Sequence, residues 1–257
     1  MASGTRLPAV AGAFYPADPQ QLTLIMRSYL KGAKKLSDKK IKALILPHAG
    51  YIYSGQTAAW GFRQLNSKPG RHFVLIGPSH HEYFLGLAGS ADKFWQTPLG
   101  QCRQLKALNR FTDKKSVLHQ PEHCLEVQLP WLQHLFKDKF SITSFLTGKL
   151  NPQTAATQLL KHYPKSIFLI SSDLSHYLAE PRANKIDSAT IKAIEALDNQ
   201  YFEFNDNVAC GSVAIQILLN LARQQRWQAK LICYDTSATA SGDKTAVVGY
   251  TAIGFYE

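Results

Sequence analysis

Ile41-Lys42-Ala43-Leu44-Ile45-Leu46-Pro47-His48-Ala49-Gly50-Tyr51-Ile52-Tyr53-Ser54-Gly55 decides the architecture of this chain. It opens as an apolar, β-branched run of strand length, and Pro47 stops it because proline cannot donate to a β-ladder. A helical pattern follows over Gly55 to Leu65, and then a second apolar run, His72 to Ile76. Strand, helix and strand in that order predict a right-handed parallel crossover. The alternation continues outward in both directions. Further strands are expected at Ser141 to Leu146, Ser166 to Ser171, Ala229 to Tyr234 and Val247 to Tyr256. Helical patterns cover Pro19 to Lys31, Leu125 to Phe136, Pro152 to His162, Ala183 to Leu197 and Ala209 to Gln225. The reading is α/β: one three-layer domain over residues 1–257, with a central mixed, mostly parallel sheet flanked by helices. The long run Val247 to Tyr256 suits an antiparallel pairing. Leu125 to Leu129 alternates well enough to pass for a strand, and Pro130 then restarts or kinks the segment.

Composition narrows the function classes. With 45% apolar and 18% charged residues the chain can bury a sizeable core, which argues against disorder. The four cysteines are too few for a disulfide scaffold and form no CxxC pair. No apolar run approaches the roughly 20 residues of a membrane helix. Met1 to Pro8 carries one arginine and no apolar stretch, unlike a signal peptide, so a cytoplasmic protein is expected. The net charge of +11 owes much to Lys31, Lys34, Lys35, Lys39, Lys40 and Lys42. Such a run reads either as a phosphate-binding patch or as a solvated connection between a helix and a strand. Without interleaved aromatics or an RNA-module signature, the solvated connection is preferred and nucleic acid is not expected as a partner.

Chemistry concentrates where the apolar runs end, which is where α/β sheets bind their ligands. Leu46 leads into Pro47-His48-Ala49-Gly50, and Ile76 into Gly77-Pro78-Ser79-His80-His81. Ile170 leads into Ser171-Ser172-Asp173-Leu174-Ser175-His176-Tyr177, and Ala209-Cys210-Gly211-Ser212 opens an apolar helix. Three strand exits thus deliver histidine and a helix start delivers a thiol. Imidazole and thiolate are ligands of transition metals, and a catalytic ion takes three protein donors and an open position. Cys210 at a helix N-terminus is expected to have a lowered thiol pKa. Cys102, Cys124 and Cys233 read as structural, and His72, His119, His134 and His162 as ordinary positions. In Glu122-His123-Cys124-Leu125-Glu126, His123 and Glu126 at i, i+3 are expected to face one side of a helix and approach the same pocket. The competing view of Glu122 is a carboxylate with solvated charge at the helix start. No GxSxG elbow, Walker A loop or dinucleotide fingerprint follows a strand, which disfavours serine hydrolases, P-loop enzymes and nicotinamide oxidoreductases.

Taken in order, these segments resemble the Memo family, the B component of the AmmeMemoRadiSam trio. The resemblance runs from Pro8-Ala9-Val10-Ala11-Gly12-Ala13-Phe14-Tyr15-Pro16 through the four loops to Ser241-Gly242-Asp243 and Val247-Val248-Gly249-Tyr250. It implies a fold like the LigB-type class III extradiol dioxygenases, which hold non-haem iron with two histidines and a carboxylate. Carried over, it implies His48, His80 and Cys210 as ligands of one iron or copper ion, the cysteine standing in the carboxylate's place. His176 then resembles the dioxygenases' acid/base histidine, with Asp173 orienting it or hydrogen-bonding a ligand. Tyr53, His81 and Glu126 are expected to meet substrate at the pocket. Two departures matter: a thiolate alters charge donation at the ion, and Val10-Ala11-Gly12 lacks a histidine that some relatives carry. The resemblance implies metal-dependent redox or oxygenase-like chemistry on an unknown small molecule or peptide. It also suggests a functional association with an AMMECR-type protein and a radical-SAM enzyme. The alternative is a non-enzymatic module that recognises a peptide or protein partner through the same cleft.

Overall fold

The computed structural model describes residues 4–66, 70–107 and 116–257. Four parallel strands form its middle: β2 (Ile41–Leu46), β3 (Arg71–Pro78), β7 (Phe140–Thr147) and β8 (Ile167–Ser171), in the order β7-β3-β8-β2. Almost every residue of these strands is buried, which explains why they read as continuous apolar runs rather than as alternating ones. On one side the sheet continues into β11 (Val247–Tyr256) and β10 (Gln228–Thr236), both antiparallel to their neighbours. On the other side it continues through β6 (Gly100–Gln104), β5 (Phe94–Thr97) and the two-residue β1 (Thr5–Arg6). β4 (Leu87–Gly89) pairs with β7, and β9 (His176–Leu178) with β11.

One face carries α1 (Pro19–Gly32), α2 (Tyr51–Phe62) and α3 (Leu129–Phe136), and its core centres on Trp131, stacked between Tyr51 and Phe62. The other face carries α4 (Pro152–His162), α5 (Glu180–Glu195), α6 (Asn199–Phe204) and α7 (Ser212–Gln225), packed round Phe168 and Trp227. A short α8 (Ala238–Ser241) precedes β11. Among the described residues no helix is long and apolar enough to cross a membrane.

The structure refines several expectations. β2 and β3 are parallel in one sheet, as the crossover reading expects, and the structure adds that β8 lies between them. The segment Leu125 to Phe136 is a single turn of 3-10 helix over Glu126–Gln128 followed by α3, with Pro130 in the first turn, where its missing N–H has no partner to lose. Helix α2 begins at Tyr51 rather than Gly55, since most of its residues face protein and no polar boundary marks its start. The lysine run is a solvated connection. Lys35 pairs with Asp38 at 2.6 Å, while Lys40 and Lys42 reach Glu257 at 2.9 and 3.1 Å.

Behind the sheet's edge lies a buried ion pair. Arg6 and Glu126 are 2.7 Å apart with both side chains wholly excluded from solvent. Arg6 also donates to the carbonyls of His119 and Glu122, both at 2.6 Å, and lies 4.3 Å over the Trp95 ring. Glu126 accepts from the amides of Ala9 and Val10 and from the Tyr15 hydroxyl, which ties the N-terminal segment down. Nearby His119 is fully buried and bonds the Ala88 carbonyl, while its Nδ1 has no partner. Burial pushes its pKa down to about 4. An unfolded chain protonates this ring near 6.5, so stability present above that value is lost as the pH falls towards 4. The free energy of urea unfolding of the metal-free protein should drop over that window by on the order of 3 kcal/mol from this one group. His119→Gln should make the slope shallower by up to one proton, and an unchanged slope would disprove the assignment.

Candidate metal centre

Adjacent strand ends build the site. β2, β8 and β3 lie side by side, with Leu46 opposite Ser171 and Ile170 opposite Ile76, so their exits open onto one edge of the sheet. Each exit carries polar chemistry: His48 after β2, Ser172 and Asp173 after β8, His80 after β3. Cys210 comes from the turn before α7, which is held against the β8 exit. The Cys210 amide donates to the Asp173 carbonyl at 3.3 Å, and the Gly211 amide to Ser172 Oγ at 2.9 Å. That approach needs a glycine, because a Cβ at position 211 would lie 2.6 Å from Ser172 Cβ.

These turns bring distant side chains into contact. Cys210 Sγ lies 3.3 Å from His48 Nε2, and the His48 and His80 ring centres are 5.1 Å apart. His123 completes a cluster in which one nitrogen from each of His48, His80 and His123 lies within 4.8 Å of the others. The tautomer of His48 follows from its neighbours. Ser171 has a single hydroxyl hydrogen, donated to the Cys124 carbonyl at 2.6 Å, and its oxygen also accepts from Gln128 Nε2 at 2.9 Å. The His48 Nδ1 facing that oxygen at 3.0 Å must therefore carry its own hydrogen, which leaves the Nε2 lone pair towards Cys210. Burial first, then the neighbouring His80 and His123, push the His48 pKa well below its usual value. A neutral imidazole is the form that ligates a metal.

Glu122 is the support behind the cluster. It is 1% exposed, and its carboxylate accepts from the His80 amide at 2.7 Å, His80 Nδ1 at 2.9 Å and the His123 and Cys124 amides at 2.8 and 3.0 Å. Burial alone would raise its pKa, but these hydrogen bonds outweigh it and hold the carboxyl well below the carboxylate range. The expectation of a solvated charge at a helix start is overturned. Sequence spacing pointed instead to Glu126, and the structure gives that residue another place: fully buried, both oxygens occupied, turned to Arg6 and the N-terminal segment rather than to the cleft.

The thiol departs from expectation too. Burial, reinforced by the nearby Asp173 carboxylate, pushes Cys210 up to about 12, against the donated amide of Asp173 at 3.2 Å. Desolvation therefore outweighs the helix-end dipole, and without a cation the residue stays a thiol. Asp173 accepts from the His48 amide at 2.8 Å, and burial raises its own carboxyl to about 7. It thus supports His48, while the charges acting on His176 come from His80 and Asp187. His176 starts β9, its pKa lowered by burial first and also by His80. Tyr53 is 44% exposed in the first turn of α2, and His81 lines an open cleft of about 510 Å³ together with His80, Tyr83, Lys149, Cys210 and Val213.

A family model described as Memo-like protein matches residues 6–254. The chain belongs to the Memo family. Among curated relatives, a MEMO1 family protein of Archaeoglobus fulgidus is 35% identical over 97% of this chain and 99% of its own length. A MEMO1 family protein of Thermoplasma acidophilum is 34% identical, covering 96% of this chain and 97% of its own, and one from Methanococcoides burtonii is 35% identical over 96% and 98%. The Memo alignment thus spans every loop that contributes to the cluster.

The donor set fits a transition ion. Soft sulfur, neutral nitrogen and a carboxylate fixing the ring behind them are the chemistry such ions select. Strand exits alone did not point to Glu122 or His123, but the i, i+3 spacing of His123 and Glu126 put both at the pocket, and the structure brings His123 there while Glu126 turns to Arg6. What spacing could not show was that Glu122 backs the His80 and His123 rings.

Proposed function

We propose that this Memo-family protein is a mononuclear iron- or copper-binding redox protein, its ion held by His48, His80 and Cys210 in the cleft at the strand ends. The observation that carries the reading is the approach of Cys210 Sγ to His48 Nε2, 3.3 Å across 162 residues of sequence, with the His80 ring centre 5.1 Å from that of His48. When bound, the ion supplies Lewis acidity and one-electron chemistry towards dioxygen or substrate. The chain's own residues prepare for it. Ser171 and Glu122 fix the His48 and His80 rings, and Cys210 gives up its proton as a cation enters, so affinity falls in acid. His176, its pKa lowered and its ring neutral near pH 7, accepts or returns a proton at its imidazole nitrogen. Tyr53 and His81 meet a small molecule or peptide at the mouth. The resemblance to LigB-type dioxygenases supports the same assignment of roles.

Oxygen uptake with a chemical reductant, measured beside metal content, tests this. In protein loaded with Fe(II) or copper, His176→Asn should keep the metal but lose about 100-fold or more in uptake. A loaded wild type that takes up no oxygen would instead favour a module that binds its partner through the cleft.

A further inference from the structure

His123 was expected near the pocket but was given no part in binding the ion, yet it touches both histidines assigned above. Its ring centre is 4.6 Å from that of His80 and 5.4 Å from that of His48, which are themselves 5.1 Å apart. Elementary geometry shows what such a triangle means. Two imidazoles bound to one ion at about 2.0–2.1 Å, with angles of roughly 90–110° at the ion, place their ring centres about 4.5–5.2 Å apart. The three measured separations fall in or next to that window.

The rings are also pinned from behind in the same way. His80 Nδ1 is 2.9 Å from Glu122 Oε1, and His123 Nδ1 is 3.2 Å from the same oxygen. A carboxylate facing Nδ1 fixes that nitrogen as the protonated one and leaves the Nε2 lone pair for a ligand site. Ser171 does the same for His48. The His123 backbone is held by the same carboxylate through its amide, at 2.8 Å, and Phe14 packs against its ring at 4.8 Å. The ring is therefore set in place before any ion arrives, with its side chain 18% exposed.

We infer that His123 is a third imidazole donor of the same centre, so that the protein offers three nitrogens and one sulfur rather than two and one. The inference rests on the metal-binding reading above and adds to it a residue that the family resemblance did not assign. Three neutral nitrogens and a thiolate carry a single negative charge, the same as two nitrogens and a thiolate, so His123 adds affinity without altering the centre's charge. An octahedral ion would still keep positions free for substrate.

Zn(II) alone is a suitable probe, because it needs no reductant and its donors can be counted by X-ray absorption fine structure at the zinc edge. Wild-type protein with one equivalent of Zn(II) should show three imidazoles and one sulfur. His123→Gln should show one imidazole fewer and bind about 10- to 100-fold more weakly in competition with a chromophoric chelator. A wild-type spectrum with two imidazoles and one sulfur would overturn the role of His123 while leaving the His48, His80 and Cys210 assignment standing. Protein that binds no zinc at all would overturn both. The wild-type count does not depend on how the variant folds.

Discussion

Cys210→Ser is expected to lower affinity for Fe(II) or Cu(I) by about 100-fold or more, a larger loss than removing a supporting hydrogen bond produces. Serine keeps the size of the side chain and its hydrogen-bonding geometry towards the Asp173 amide, so the turn before α7 should hold its shape. What disappears is the soft, ionisable donor. An alkoxide is not accessible at neutral pH, whereas a cation can draw the proton from Cys210 even though burial holds that thiol up to about 12. The pH dependence should change in parallel. Wild-type affinity should fall as the pH is lowered because a proton competes at sulfur, and the serine variant should lose that component. Anaerobic equilibrium dialysis with metal analysis across pH measures both. Equal affinity in the two proteins would remove Cys210 from the ligand set and leave the His48, His80 and His123 nitrogens to account for binding.

The largest effect on stability should come from Arg6→Ala. It leaves Glu126 as a buried carboxylate without its cation, and breaking a buried pair in this way costs roughly 3–5 kcal/mol. Ala9, Val10 and Tyr15 would still donate to Glu126, which limits the loss but does not replace a charge. The guanidinium also holds the carbonyls of His119 and Glu122, so the variant should loosen the support under His80 and His123. Urea unfolding of the metal-free protein gives the stability change. The double variant Arg6→Met with Glu126→Gln, which removes both charges, should recover much of the loss. If Arg6→Ala unfolds within about 1 kcal/mol of wild type, the pair is not the anchor described.

Much of the fold was legible in residue patterns because its central strands are buried on both faces. Ile41–Leu46, Pro152–His162 and Val247–Tyr256 were read with the bounds observed, since hydrophobic runs and caps are local properties. The short strands β1, β4, β5 and β6 escaped notice. They are too short for any period, and apart from the local β5–β6 hairpin, with Thr97 opposite Gly100, their pairing comes from partners far along the chain. The insertion of β8 between β2 and β3 is likewise a long-range event with no signature in either strand.

The site divides along the same line. His48, His80, Asp173 and Cys210 were visible because proline, glycine and histidine punctuate the ends of apolar segments, and a sheet gathers those ends at one edge. The sequence by itself therefore determined the family, the layered architecture and the side chains most able to bind an ion. Tertiary structure alone decided that Glu122 backs the histidines while Glu126 pairs with Arg6, two carboxylates four residues apart with unlike tasks. It alone raised the Cys210 thiol pKa and brought His123 against His80. The reason is physical: spacing fixes which residues lie near each other along the chain, but desolvation and hydrogen-bond partners depend on what the rest of the fold packs around them.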